Sequence, residues 1–183
     1  MRVISGEARG IKLETIEGLE TRPTTDRVKE AVFSMIQNQI YDARCLDLFS
    51  GSGALGIELL SRGARKTIFV ESNPRALSAI ESNLAKTRLK DRAEILRMDV
   101  YEGLKKLTGE TFDIIMCDPP YLKGHVTKTL EAVLQNQLLR PGGILIMEHD
   151  AYDDEINHPP NEFQSLKSKK YGKIGVTIFR RNE

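Results

Sequence analysis

The sequence predicts an α/β fold in which a mostly parallel β-sheet carries helices on both faces. From Arg44 onward, short apolar runs of β type alternate with segments of helical periodicity, and most of these runs end in a turn. Strands separated by helices of this length form right-handed βαβ units and therefore a parallel sheet. The last two runs flank a Tyr-Gly-Lys turn, which predicts an antiparallel hairpin at the sheet edge. Together the runs predict a sheet of seven strands.

The composition fits one domain over residues 1–183, with the alternating core at residues 44–183. With 40% hydrophobic and 29% charged residues, the chain can bury a substantial core. No window approaches the roughly 20 apolar residues that a membrane helix needs, so we expect a cytoplasmic protein without membrane contact. Cys45 and Cys117 each lie in an apolar run without a neighbouring histidine or a paired cysteine. Their spacing predicts neither a metal site nor a disulfide.

Residues 1–43 precede the alternating pattern and predict a small hairpin-plus-helix appendage. Arg2–Ser5 and Gly10–Thr15 have the pattern of two strands bent around glycines. Thr24 or Thr25 can cap the helix that follows. The apolar stripe of that helix contains Val28, Ala31, Val32, Met35, Ile36 and Ile40.

The elements of the core are bounded by local signals. Pro74 suits the first turn of a helix, because its missing N–H would have no helical partner there. Adjacent apolar residues in the fourth run indicate a strand that is buried on both faces. The predicted strands are Cys45–Phe49, Thr67–Glu71, Ala93–Met98, Phe112–Cys117, Ile144–Glu148, Phe163–Lys170 and Ile174–Arg181. The predicted helices are Ala54–Arg62, Pro74–Lys86 and Val126–Gln137.

A glycine-rich loop follows the first strand of the core. Gly51, Gly53 and Gly56 form a Gly-x-Gly-x-x-Gly pattern between a strand and a helix, where glycine permits a tight turn and the close approach of a ligand. Glu71 ends the next strand and can accept hydrogen bonds from both hydroxyls of an adenosine ribose. These features alone suit NAD as well as S-adenosylmethionine.

Acidic residues at two further strand ends favour S-adenosylmethionine. Asp47 lies four residues before the first glycine, where a carboxylate would repel the pyrophosphate of NAD but attract a cationic sulfonium and ammonium. Asp99 follows the third strand and can accept a hydrogen bond from an adenine amino group. Either acid alone could cap a turn, but three acids at consecutive strand ends favour a ligand. The predicted cofactor-binding residues are Asp47, Ser50, Gly51, Ser52, Gly53, Gly56, Glu71, Ser72, Asn73, Asp99 and Val100.

An Asp-Pro-Pro-Tyr motif, Asp118–Tyr121, directly follows the fourth strand. A stiff strand-ending turn would explain the two prolines but neither the Asp nor the Tyr. An exocyclic amine on a base is a poor nucleophile, because its lone pair is delocalised into the ring. Asp118 and the Pro119 carbonyl can each accept one N–H and so direct that lone pair at a methyl group. Pro120 helps to keep the carbonyl rigid, and Tyr121 offers a ring on which the base can stack, without a role for its hydroxyl.

Three segments, together with this motif, resemble the RsmD family of bacterial methyltransferases. They are Met1–Gly10, Arg22–Ala31 and Asp47–Glu58, and the resemblance spans nearly the whole chain. It implies a class I, Rossmann-like fold, S-adenosylmethionine as the cofactor without a metal, and methylation of the N2 amine of one guanine in 16S ribosomal RNA. It further implies a substrate presented in the assembled small subunit. By the same resemblance, Glu71 would bind the ribose and Asp99 the adenine.

Two basic regions are candidates for contact with the RNA. By the resemblance, Arg22 and Arg27 would help to close over the cofactor and the RNA. Lys169 and Lys170 belong to a C-terminal basic run that could contact phosphates instead, although such a run can equally be a solvated face. A net charge of +1 gives only weak non-specific attraction to nucleic acid. No obligate protein partner is evident.

Three other functions stay open on the sequence. An adenine-N6 methyltransferase could use the same motif, but the DNA enzymes usually carry a separate target-recognition region, for which this chain has little room. A protein glutamine methyltransferase more often has Asn-Pro-Pro-Tyr, so Asp118 counts against it. A dinucleotide-binding oxidoreductase or a non-catalytic binding module would leave Asp47 and the Asp-Pro-Pro-Tyr motif unexplained.

Overall fold

The structure, a computed structural model, describes residues 1–16, 26–121 and 124–183. Its strands are β1 (Arg44–Leu48), β2 (Lys66–Glu71), β3 (Ala93–Arg97), β4 (Phe112–Cys117), β5 (Leu139–Asp150), β6 (Phe163–Tyr171) and β7 (Ile174–Arg181). Its α-helices are α1 (Asp26–Ile36), α2 (Ala54–Ser61), α3 (Pro74–Thr87), α4 (Val100–Lys106) and α5 (His125–Gln135). Short 3₁₀ turns lie at Gln37–Gln39, Lys90–Arg92 and Asp154–Asn157.

The seven strands form one mixed sheet in the order β3-β2-β1-β4-β5-β7-β6. Strands β1 to β5 pair in parallel, and β7 runs antiparallel to both β5 and β6. The predicted fold class is therefore confirmed, including the C-terminal hairpin. In the part of the chain that the structure describes, no helix is both long and apolar enough to cross a membrane.

Two apolar layers cover the two faces of the sheet. Helices α1, α2 and α3 bury residues such as Phe33, Ile57 and Ile80 on one face, which we call the first layer. Helices α4 and α5 bury Leu104 and Leu130 on the opposite face, the second layer. Because strand side chains alternate between faces, each central strand contributes to both layers, and this burial explains its near-continuous apolar sequence.

The N-terminal segment folds back on itself before α1, through one isolated antiparallel bridge between Arg2 and Lys12 and not through the two strands predicted from the sequence. Val3 N donates to the Ile11 carbonyl (3.0 Å), and Leu13 N donates to the Met1 carbonyl (3.0 Å). Helix α1 is described from Asp26 onward, so capping by Thr24 or Thr25 lies outside the described residues.

A buried ion pair joins α1 to α2. Lys29 Nζ lies 3.3 Å from Glu58 Oε2, and both side chains are completely inaccessible to solvent. Glu58 also accepts hydrogen bonds from Ile4 N (2.9 Å) and Ser5 N (3.0 Å), while Lys29 donates to the Arg2 carbonyl (2.5 Å). Burial lowers the pKa of Lys29, and the charge of Glu58 opposes that shift. The predicted apolar stripe of α1 did not include Lys29, because a charged residue is expected at the surface and not in the core.

Two elements differ from the sequence prediction. Helix α4 was not predicted, since it has only seven residues and contains Gly103, a poor helix former. Strand β5 begins at Leu139, five residues before the predicted start at Ile144. Leu139 pairs with Phe112, and a shift of register between Phe112 and Ile114 accommodates the Arg-Pro-Gly-Gly segment, which was predicted as a turn outside the strand.

Candidate active site

The glycine loop and the Asp-Pro-Pro-Tyr motif follow neighbouring strands. β1 and β4 pair directly, yet the chain continues from β1 to β2 on one side and from β4 to β5 on the other. Such a reversal opens a crevice at the carboxyl ends of the two strands, and ligands of open α/β sheets bind in this position. Residues 50–53 follow β1 and residues 118–121 follow β4, so both predicted motifs lie at this end of the sheet.

The glycines of the loop have different surroundings. Gly51 has a φ of +54° and faces open space, so a ligand can approach its backbone. Gly53 has a φ of +79° and immediately precedes α2. A Cβ at Gly56 would lie 2.3 Å from the Phe69 ring and 2.8 Å from Asp47 Oδ2. Gly56 is therefore required for packing, whereas Gly51 leaves room for a bound molecule.

Hydrogen bonds hold the loop to β2. Ser50 N donates to the Val70 carbonyl (3.2 Å), and Ser50 Oγ accepts from Val70 N (3.1 Å). Ser50 Oγ also donates to the Asp47 carbonyl (2.7 Å). The carbonyl of Ser52 accepts a hydrogen bond from Asn83 Nδ2 on α3 (2.9 Å). These contacts fix the backbone of the loop. That Ser50 or Ser52 contacts a cofactor stays a prediction.

Asp47 lies beneath the loop and not on its surface. Its side chain is almost completely buried, and Oδ2 accepts a hydrogen bond from Gly56 N (2.9 Å). Burial raises the pKa of Asp47 well above its ordinary value, and the nearby charge of Glu71 adds to this effect. The structure thus gives Asp47 a part in joining β1 to α2. Its predicted attraction for a cationic ligand stays a prediction.

Glu71 lies at the end of β2, beside the loop. Oε2 accepts a hydrogen bond from Gly51 N (2.8 Å), and Oε1 accepts from Ser72 N and Asn73 N (2.8 Å each). Asn73 caps α3, because its Oδ1 accepts from the first backbone amides of that helix. The predicted ribose-binding acid and the glycine loop are therefore in direct contact.

Asp99 caps α4 at the end of β3. Its Oδ1 accepts hydrogen bonds from Tyr101 N (2.8 Å) and Glu102 N (3.4 Å). Val100 is buried in the second layer. The capping role that the sequence left open is thus confirmed, and the contact of Asp99 or Val100 with adenine stays a prediction.

The Asp-Pro-Pro-Tyr motif combines buried and accessible groups. Asp118 is half-buried, Pro119 is buried and Pro120 is exposed. Burial raises the pKa of Asp118 well above its ordinary value, and the charges of Glu148 and Asp47 raise it further. A carboxylate with a raised pKa is a stronger proton acceptor than an exposed one.

Glu148 contacts the motif from the neighbouring strand β5. The hydroxyl of Tyr121 donates a hydrogen bond of 2.8 Å to Glu148 Oε1. Glu148 is 5% exposed, whereas Tyr121 is 40% exposed. Glu148 was not predicted as a site residue, although it is the last residue of the fifth predicted strand and so continues the series of acids formed by Asp47, Glu71 and Asp99.

An aromatic cluster that was not predicted from the sequence lies between β1, α4 and α5. Phe49 contacts Tyr101 and His125 edge to face, with ring centroids 6.4 Å and 6.1 Å apart. Tyr101 Oη lies 3.1 Å from His125 Nδ1. Phe49 has a φ of +56°, which is uncommon for a bulky residue, and these ring contacts hold it at the start of the glycine loop.

The candidate RNA-contact residues lie on different parts of the fold. Arg22 lies outside the described residues. Arg27 is exposed in the first turn of α1, and Lys169 and Lys170 are exposed on the edge strand β6. The structure does not bring Arg27 and the two lysines into contact with one another.

The two cysteines are buried and unpaired with each other. Burial raises the pKa of the Cys45 and Cys117 thiols, so both are held in the neutral form. Over residues 1–16, 26–121 and 124–183, no cluster of three or more histidine, cysteine or acidic side chains is arranged to hold a metal ion.

Comparison with known proteins assigns the chain to a family. The family described as Conserved hypothetical protein 95, which comprises RsmD, matches residues 1–180. The chain belongs to the RsmD family. The family's members include the ribosomal RNA small subunit methyltransferase D of Haemophilus influenzae, which is 30% identical over 98% of this chain and 93% of its own length.

Two further relatives of the RsmD family cover the chain almost completely. A candidate rRNA methyltransferase of Bacillus subtilis (strain 168), YlbH, is 38% identical over 99% of both chains. A solved structure from Escherichia coli, that of the candidate methyltransferase yhhF, superposes with a TM-score of 0.89 at 31% identity, over 100% of this chain and 98% of that one. The N-terminal segment and the C-terminal hairpin thus both lie within the region shared with these proteins.

Proposed function

We propose that the chain transfers a methyl group from S-adenosylmethionine to the exocyclic N2 amine of one guanine in 16S ribosomal RNA. The observation that carries this proposal is the position of Asp118–Tyr121 beside a glycine loop, at the crevice between β1 and β4. Membership of the RsmD family supports the ribosomal substrate, since relatives of that family are named for the small-subunit RNA.

The cofactor site consists of the glycine loop and the acids at the ends of β2 and β3. Gly51 faces open space, and its backbone N donates to Glu71 Oε2 over 2.8 Å. The loop and Glu71 together therefore leave room for an adenosine group beside a carboxylate. Glu71 would bind the ribose hydroxyls and Asp99 the adenine amino group. When bound, S-adenosylmethionine supplies a methyl group already activated as a sulfonium.

The catalytic residues orient the amine and receive its proton. Asp118 and the Pro119 carbonyl each accept one N–H of the exocyclic amine, which directs the nitrogen lone pair away from them. Asp118 then takes up the proton that the nitrogen loses. Its raised pKa favours this role, because the carboxyl group binds a proton more readily than an exposed aspartate does. Tyr121, with 40% of its surface exposed, offers its ring to the base.

The exposed strand β6 provides a surface for the RNA backbone. No acidic residue occurs in residues 163–181, whereas β6 and its turn carry Lys167, Lys169, Lys170 and Lys173. Lys169 pairs with Val176, which pairs with Glu148, so these three side chains share one face of the sheet. At a strand spacing of about 4.8 Å, the backbone of Lys169 lies roughly 10 Å from that of Glu148. Phosphates bound there would place a neighbouring base near Asp118.

Recognition by shape suits this distribution of charge. The net charge is +1, so long-range attraction to RNA is weak and selectivity has to come from a local surface. We propose that the small ribosomal subunit, which presents one unstacked base in a fixed position, is the substrate and that protein-free 16S RNA is methylated much more slowly.

One experiment tests the proposal against its alternatives. Labelled S-adenosylmethionine is incubated with the protein and, separately, with small subunits, protein-free 16S RNA, DNA and a glutamine-containing ribosomal release factor, and the products are digested and separated. We expect N2-methylguanine from small subunits. A product of N6-methyladenine or methylglutamine would overturn the guanine assignment, and thermal protection by NADH but not by S-adenosylmethionine would overturn the cofactor assignment.

A further inference from the structure

Tyr121 is held at both ends of its side chain. Its backbone follows two prolines, which restrict the conformation of the chain before the ring. Its hydroxyl, at the far end of the ring, donates a hydrogen bond of 2.8 Å to Glu148 Oε1. A tyrosine anchored in this way cannot change rotamer without breaking a hydrogen bond to a buried carboxyl group.

Glu148 is placed for this contact by the sheet itself. Cys117, the last residue of β4, pairs with Met147 of β5, so Asp118 and Glu148, one residue further along each segment, lie side by side where β4 ends. Their side chains share the face of Ile146 and Met116, because residues two apart on a strand point the same way. One buried carboxyl group therefore adjoins both functional side chains of the motif.

We infer that Glu148 is a positioning residue for methyl transfer: its carboxyl group fixes the Tyr121 ring beside Asp118. This inference rests on the proposed function. The base that enters the site meets a ring already held in one orientation, so less conformational freedom is lost when it stacks. A phenylalanine at position 121 would keep the stacking surface but lose the anchor, so the hydroxyl has a role, contrary to the expectation from the sequence that only the ring matters.

Glu148 also acts on Asp118 through its charge. The groups that influence the carboxyl group of Asp118 are Glu148 on β5 and Asp47 on β1, in addition to burial. Tyr121 is in turn influenced by Glu148, Asp118 and Asp150, and burial together with these charges raises the pKa of its phenol. Removal of the charge at Glu148 should therefore lower the pKa of Asp118. A residue that only stabilised the fold would leave the pH dependence of turnover unchanged.

The test combines Glu148→Leu, which removes the acceptor, Tyr121→Phe, which removes the donor, and the double variant, assayed on whichever acceptor the wild-type protein methylates. We expect each single variant to lower kcat about tenfold and the double variant to be no slower than the slower single one, because both changes remove one hydrogen bond. The Kd for S-adenosylmethionine should stay within about twofold of the wild type. A separate variant, Glu148→Gln, keeps an oxygen that can accept from the Tyr121 hydroxyl but removes the charge, so in this variant the acid limb of the kcat profile should move to lower pH.

Controls separate this inference from the proposed function. Glu162→Gln removes an exposed glutamate from a loop remote from the motif and should change none of these quantities. Unchanged kcat in Tyr121→Phe, or losses that multiply in the double variant, would overturn the inference while the methylated product still stands. If the wild type methylates no acceptor, the proposed function fails. The ring signals of Tyr121 in NMR spectra then decide the inference. They should be shifted from those of free tyrosine in the wild type and should approach them in Glu148→Leu, and identical ring signals in the two proteins would overturn the inference.

Discussion

Glu71 accepts a hydrogen bond from the backbone amide of Gly51 over a distance of 2.8 Å. The other oxygen of the same carboxylate accepts from Ser72 N and Asn73 N, so three backbone amides converge on one side chain. Glu71 therefore organises the junction between the glycine loop and the start of α3, in addition to its proposed contact with the ribose.

Replacing Glu71 with alanine should weaken S-adenosylmethionine binding by about 1.5–3 kcal/mol, because hydrogen bonds to a charged group are lost. Isothermal titration calorimetry measures this change directly. Glu81→Ala, which removes an exposed glutamate of α3, is the matched control and should bind normally. Equal affinity in Glu71→Ala and Glu81→Ala would mean that the ribose binds elsewhere.

Replacing Asp118 with alanine should lower turnover by at least about a hundredfold, because the amine loses both an orienting acceptor and a proton acceptor. Affinity for S-adenosylmethionine should change little, since the proposed cofactor contacts lie on the glycine loop, Glu71 and Asp99. Single-turnover methyl transfer with saturating cofactor provides the measurement, and Asp91→Ala, at an exposed position, provides the control. Wild-type turnover in Asp118→Ala would contradict the catalytic assignment.

Replacing Asp47 with asparagine should stabilise the fold at neutral pH, because a buried carboxylate is removed while an oxygen remains to accept the Gly56 amide. In an unfolded chain the pKa of aspartate is about 3.9. The pKa of Asp47 in the folded protein is higher, so the wild type loses stability as the pH rises from that value toward the folded pKa. The stability advantage of Asp47→Asn should therefore grow with pH over this range.

Urea denaturation of both proteins at several pH values measures this difference. Asp91→Asn, at an exposed position, should show no such trend. A stability difference that stays constant with pH would show that the Asp47 carboxyl group does not titrate in the way its burial suggests.

Replacing Lys29 with methionine should lower the free energy of unfolding by about 1.5–3 kcal/mol, because the buried carboxylate of Glu58 loses one of its two cationic partners and the Arg2 carbonyl loses its donor. Arg62 Nε still donates to Glu58 Oε1 (2.8 Å), and the hydrogen bonds from Ile4 N and Ser5 N remain, so the charge of Glu58 stays partly compensated. Urea unfolding monitored by circular dichroism measures the loss. Lys105→Met, on the exposed part of α4, should stay within about 0.5 kcal/mol of the wild type, and a similar effect of both changes would contradict the argument.

Charge reversal at Lys169 and Lys170 should weaken binding to the small subunit without changing the Kd for S-adenosylmethionine, if β6 contacts phosphates. Lys105 and Lys106 are a matched pair of exposed lysines in the last turn of α4, at the end of the helix that lies away from the crevice. Charge reversal of these two lysines should have little effect on binding to the small subunit. Sedimentation with subunits at two salt concentrations measures binding. A larger loss on reversal of Arg22 and Arg27 would place the RNA on the N-terminal side instead.

Local patterns predicted most of the fold. Strand burial, helical periodicity and the glycine loop are encoded within a few consecutive residues, so the seven strands and four of the five α-helices were predicted to within a few residues at most ends. Helix α4 was missed because its stability comes from Asp99 as a cap and from packing of Val100 and Leu104, more than from its own short sequence. Its signals were present: an acid at the cap and lysines in the last turn.

Contacts between distant residues could not be predicted from such patterns. Glu148 reaches Tyr121 only because β5 pairs with β4, and the register of that pairing depends on the irregularity after Phe112. Lys29 and Glu58 look like surface residues of two amphipathic helices, since each is charged. Only the docking of α1 against α2 shows that Lys29 and Glu58 form an ion pair in the core, to which Arg62 also contributes.

The contacts between the N-terminal segment and α2 are made largely by main-chain atoms of the segment. Ile4 N and Ser5 N donate to Glu58, Ala8 N donates to Ser61 Oγ, and Ser61 Oγ donates to the Ser5 carbonyl. For these hydrogen bonds the spacing of the segment matters more than its side chains, because every residue type except proline presents the same N–H. The segment should therefore accept many substitutions at its exposed positions, although not at Gly6 or at the buried Val3 and Ala8, while the insertion or deletion of a single residue would misalign several contacts at once. Most surface loops have the opposite tolerance.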